Sequence, residues 1–166
     1  MSLVIRHKKS SYLNFMEALN LNLESQLNIY NQAVLKRSAA ISLLSKELDS
    51  ANSKDFIIMF EIQGEFDGFL IAQLSAQENI EYSSDHFHSL FVESINILGG
   101  KLLTNLDQNF DLLCTLSPPR QLSSFDSINN SKYKFKLKTN YELITLNNTY
   151  DCNLIFVGNE KILKEV

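Results

Sequence analysis

The chain has 166 residues, 45% of them hydrophobic and 20% charged, with a net charge of −4. That composition belongs to a folded globular protein, and the length suits one domain, residues 1–166, around a single substantial core. No run reaches the roughly 18 apolar residues of a membrane helix. Residues 51–111 hold ten acids against two lysines, Lys54 and Lys101, which excludes a basic nucleic-acid footprint over that stretch.

The opening "MSLVIRHKKSSYLNF" carries basic residues without an apolar h-region or a small-residue cleavage site, so no signal peptide is expected. Cys114 and Cys152 form no C-x-x-C pair and read as thiols of a reducing compartment, which makes a cytoplasmic location the expectation. Residues 11–31 place Tyr12, Met16, Leu19, Leu23 and Tyr30 at helical spacing and predict a first amphipathic helix. In "RSAAISLLSKELDSANSK" the apolar part fits a strand or a short helix, and "DSANS" is a loop.

"DFIIMFEIQGEFDGFLIAQLS" predicts a β-hairpin: two runs rich in β-branched and aromatic residues flank Gly64 and the pair Asp67-Gly68. "AQENIEYSSD" then offers Ser83, Ser84 or Asp85 as a helix N-cap. Residues 88–107 read as one helix. With about 100° per residue, Ser89, Glu93, Asn96 and Gly100 fall within about 40° of a single line, while Phe87, Phe91, Leu98 and Leu102 take the opposite side. The apolar side is core, so the polar stripe faces solvent or a partner. A solvated face would be the ordinary explanation. Gly100 argues for a partner, because a glycine inside a helix costs about 1 kcal/mol relative to alanine and here would save no buried space. Its use is to let another surface approach.

Beyond this helix, "FDLLCTLSPP" reads as a strand stopped by Pro118-Pro119. "SKYKFKLKTN" alternates, with Tyr133, Phe135 and Leu137 on one face and Lys132, Lys134, Lys136 and Lys138 on the other. A strand with one solvated side explains this lysine comb better than a phosphate site does. "YELITLN" and "DCNLIFVG" read as the last two strands. His86 and His88 tempt a metal reading, but residues two apart on a helix point away from each other, so no metal site is expected there.

Ser89, three residues, Glu93, two residues, Asn96, twenty-two residues and Pro119 together form a spacing that resembles the signature of the CheC/CheX/FliY family of chemotaxis phosphatases. The helix "ESINILGGKLLTNL", the following "LSPP" and the upstream "GEFDGFLIAQLS" look most like the single-site CheX branch, over roughly residues 54–158. A second Glu-x2-Asn, Glu17 and Asn20, has Leu13 and Leu43 at the other signature positions and makes a poor second site.

The resemblance implies an α+β fold, with two principal helices packed on one mainly antiparallel sheet of about five or six strands. It implies hydrolysis of the aspartyl phosphate of a CheY-like response regulator. Asn96 would hold the attacking water and Glu93 would anchor the partner through a lysine beside its phosphoryl group. Ser89, Gly100 and Pro119 would shape the contact, and His86 would lie close enough to touch the partner. No cofactor of its own is implied, since any Mg2+ would sit on the regulator. A homodimer is implied too. The alternative is a non-catalytic scaffold for a response regulator or a flagellar-switch component, since the same fold serves there.

Overall fold

The computed structural model describes residues 34–37, 42–44, 47–49, 51–52, 54–76, 85–133, 135–144 and 149–158. The helix expected over residues 11–31, and Glu17 and Asn20 with it, lie outside the described residues. Within them the fold is α+β, with two helices and an antiparallel sheet.

The strands are β1 (Val34–Arg37), β2 (Ser42–Leu44), β3 (Phe56–Gly64), β4 (Gly68–Ala76), β5 (Cys114–Leu116), β6 (Arg120–Leu122), β7 (Phe135–Ile144) and β8 (Thr149–Gly158). The helices are α1 (Asp85–Phe110) and the single-turn α2 (Asp126–Asn129). The eight strand segments fill six positions in the order β1-β7-β8-β4-β3-β5, with β2 also pairing β7 and β6 also pairing β3. All pairings are antiparallel.

The hairpin forms as its sequence predicts. Gly64 adopts φ 139°, a conformation L side chains rarely take, and the turn leads into Gly68, where a Cβ would strike the Val157 carbonyl. The strands are apolar on both sides because the sheet is buried on both faces. Ile58, Phe60 and Ile62 of β3, with Leu70, Ala72 and Leu74 of β4, pack against α1. Ile57, Met59 and Ile71 point the other way, into a second cluster with Leu48, Phe125, Ile128 and Tyr133. The Asn129 side chain holds that second layer in place: it accepts from the Leu48 N–H (2.8 Å) and donates to the Leu48 carbonyl (3.0 Å).

α1 runs longer than residues 88–107, and the cap candidates Ser83 and Ser84 lie outside the described residues. It ends where Asp111 turns into the left-handed region (φ 53°), its N–H donating to the Asp107 carbonyl at 3.0 Å. The Leu112 N–H adds a second bond, to the Leu106 carbonyl at 3.2 Å, and this left-handed cap has an aspartate in the usual place of glycine. Phe91, Ile95, Leu98, Leu102 and Leu106 are fully buried. Together they contribute roughly 10 kcal/mol of transfer free energy, which fixes which side of the helix meets water. The Phe87 side chain lies outside the described residues. Gly99 also faces the sheet, where a Cβ would sit 2.5 Å from Leu116 Cδ2.

Two strand expectations need correction. "SKYKFKLKTN" and "YELITLN" form one strand, β7, rather than two, because β8 offers it an unbroken ten-residue ladder. Two lysines of the comb do not face solvent as expected: Lys136 is only 5% exposed and Lys138 is half-buried, whereas Lys132 is exposed. Their side of β7 lies over the second core, where a lysine's apolar stem packs well. Nor do Tyr133 and Leu137 share a face, since Tyr133 joins the second cluster and Leu137 the first. Lys132, before the strand, lies 5.3 Å from the Tyr133 ring centroid.

Candidate functional site: a cleft between helix α1 and a bulged edge strand

Along one edge of the described sheet, β3 is paired in two pieces. β5 pairs with Ile62 opposite Leu116, and β6 pairs with Met59 opposite Arg120. Between these pairs, two residues of β3 (Phe60, Glu61) oppose three (Ser117, Pro118, Pro119), which makes a one-residue β-bulge. The prolines therefore interrupt the strand without ending it. They lack the N–H that ladder pairing needs, and a bulge on an outer strand tolerates them. Ser117 fastens the bulge to both backbone polar groups of Glu61. The Glu61 N–H donates to Ser117 Oγ (2.8 Å), and the Ser117 N–H donates to the Glu61 carbonyl (2.8 Å).

Across from the bulge runs α1. Between them opens a cleft of about 560 Å³ lined by Phe56, His88, Ser89, Val92, Glu93, Asn96, Pro119 and Gln121. Ser89, Glu93 and Asn96, neighbours on α1, thus line one concave surface with Pro119, which is distant in sequence, all four exposed. Gly100 is exposed one turn beyond Asn96 and does not line the cleft. A Cβ there would meet nothing within 4 Å.

The floor is aromatic. His88 stacks on Phe56 with ring centroids 4.2 Å apart and planes 6° from parallel, and Phe56 meets the fully buried Phe91 edge-on at 6.4 Å. The cleft floor is thereby tied to the core under α1. Sequence reasoning missed Phe56, His88, Val92 and Gln121 as lining residues. His88 and Val92 flank the polar stripe on the helical wheel, so the wheel itself carried that signal. Phe56 and Gln121 reach the cleft only through strand register, which periodicity alone does not supply. His86 belongs to α1, but its side chain lies outside the described residues.

Chemically, the walls offer a carboxylate (Glu93), two carboxamides (Asn96 and Gln121) and a hydroxyl (Ser89). A carboxamide presents both donor and acceptor, so it orients a water molecule or a peptide group without acting as a strong base. Among the described residues, no lysine or arginine lines the cleft. Also among them, no three His, Cys, Asp or Glu side chains gather to hold a metal, and no helix is long and apolar enough to cross a membrane.

No protein-family model and no curated protein sequence matches the chain. Solved structures do. A FliG–FliM complex from H. pylori matches with a TM-score of 0.65 at 12% identity, covering 96% of this chain and 98% of the other. CheX from Vibrio vulnificus matches with 0.57 at 10% identity, over 86% and 99%. The CheX–CheY–BeF3–Mg2+ complex from Borrelia burgdorferi matches with 0.55 at 14% identity, over 86% and 94%. At these identities the likeness establishes a shared fold.

Proposed function

We propose that this protein hydrolyses the aspartyl phosphate of a CheY-like response regulator, in the cytoplasm and as a homodimer. One observation carries the reading: Ser89, Glu93 and Asn96 of α1 share a single open cleft with Pro119, which the bulge brings across from the far end of the motif. A mere helix face would not require the fourth residue to arrive there.

An acyl phosphate already has a good leaving group, so the hydrolysis mainly needs a water held in line with phosphorus. Asn96, exposed on the cleft wall, holds that water through its carboxamide. Glu93, one turn earlier, meets a lysine of the regulator in a charge-assisted contact that sets the docking register. Ser89 and Pro119 frame the entering loop, and Gly100, one turn beyond the cleft, lets the partner's surface come close to the helix there. With no lysine or arginine among the described residues that line the cleft, the reaction draws on charge brought by the partner, including Mg2+ on the regulator.

A second reading is supported by the likeness to the FliG–FliM complex: a module that holds a regulator or a switch component without turnover. Decay of a phosphorylated CheY-type regulator from the same cell, followed with wild type and Asn96→Ala, separates the two. Faster decay with wild type that disappears in the variant while binding persists supports the phosphatase. Tight binding with unchanged decay selects the holding module.

A further inference from the structure

The bulge does more than carry Pro119. If the β5 register continued unbroken, the residue opposite Ile58 would be Arg120, whereas the extra residue puts Gln121 there. Ile58 packs in the cluster beneath α1, and directly opposed residues share a face of the sheet. Gln121 therefore stands on the α1 side, in the cleft, while Arg120 pairs with Met59 of the second cluster on the opposite side. One inserted residue thus switches the odd-numbered positions 119 and 121 into the cleft and turns an arginine out of it.

We infer that Gln121 is a specificity-determining contact for the partner, a part the family signature does not assign to it. The inference rests on the docking cleft proposed above and names a further element of it. Gln121 stands on the strand wall of the cleft and the polar stripe on the helix wall, so a loop entering the cleft passes between them. Its carboxamide matches the donor and acceptor of a peptide group, and its ligand is the partner's main chain beside the phosphoryl-bearing aspartate. Its neutrality matters equally. A cation at this position would share the cleft with Glu93 and compete with the partner's lysine for that carboxylate.

The test compares wild type, Gln121→Ala and Gln121→Arg, using a CheY-type regulator kept phosphorylated by excess small-molecule donor. Turnover gives kcat and KM, and calorimetry with the beryllofluoride-loaded regulator gives Kd. Thermal melts verify folding, which an exposed edge residue leaves intact. Loss of one hydrogen-bonding partner predicts that Gln121→Ala raises KM and Kd about fivefold with kcat unchanged. Gln121→Arg raises both further. Unchanged KM and Kd in both variants overturn the inference, as does a fall in kcat alone. If wild type binds without turnover, the phosphatase reading fails, and Kd alone decides for or against Gln121. If wild type neither binds nor turns over, both fall together.

Discussion

Gly99 and Gly100 are adjacent residues on opposite sides of α1. At Gly99 a Cβ would meet Leu116 at 2.5 Å, and at Gly100 it would meet nothing within 4 Å. The first glycine exists for the fold and the second has no reason within the described chain. The difference recurs along the helix between Ser89 and Leu106. Phe91, Ile95, Leu98, Leu102 and Leu106 are fully buried, whereas Ser89, Glu93, Asn96 and Gly100 are exposed. One face carries stability and the other, under the proposed function, meets the partner, so substitutions on the two faces should move different observables.

The largest effect expected is on the exposed face. Asn96→Ala should lower turnover on the order of 10²-fold, as losing one well-placed polar group in a reacting site does. Its melting temperature should stay near wild type, since exposed substitutions usually change stability by less than about 0.5 kcal/mol. A drop in thermal stability that accounts for the lost activity would erase the distinction. The opposite pattern belongs to Leu102→Ala, which should cost about 2–5 kcal/mol in urea unfolding while leaving turnover per folded molecule unchanged.

The glycine pair sharpens the comparison. Gly100→Ala should stabilise the protein by about 0.5–1 kcal/mol through helix propensity, yet weaken regulator binding because a methyl group intrudes on the close approach. Greater stability with undiminished affinity would return Gly100 to a plain solvated face. Gly99→Ala should cost about 1 kcal/mol, a modest figure because the clash is with the end of a leucine side chain that can rotate away.

The effect smallest at neutral pH concerns the two thiols. Burial pushes the Cys152 thiol up to about 12, from an ordinary value of 9.0. Above pH 9 the unfolded chain releases a proton that the folded chain retains, so stability should fall as pH rises from about 9 toward 12. Burial also raises Cys114, but that side chain is only half-buried and donates weakly to the Phe66 carbonyl (3.6 Å). A thiol reagent at pH 8 should label Cys114 slowly and Cys152 only on unfolding.

Much of this was legible in the residues. The period of apolar positions in α1 gave its buried side, and Gly64 with Asp67-Gly68 marked the hairpin. The signature spacing picked out Ser89, Glu93, Asn96 and Pro119, which do line one cleft. What stayed hidden depended on pairing between distant strands. The lysine alternation of β7 resembles a half-solvated strand until the second core over Lys136 is known. Pro118-Pro119 reads as a stop, because nothing in the local sequence says that Arg120–Leu122 rejoins the same neighbour. Phe56 and Gln121 entered the cleft by register alone, and a signal of period two cannot say which of its two phases faces a helix.

The bulge at Ser117-Pro118-Pro119 therefore behaves like a frameshift in three dimensions. It changes no residue, yet it decides which of the residues that follow are read by the cleft and which by the opposite face. Two chains identical at every named position would present different walls, an arginine in one and a glutamine in the other, if they differed only in the length of this corner. Between Leu116 and Arg120, spacing carries as much information as identity. Any redesign of the cleft begins by counting residues before choosing them.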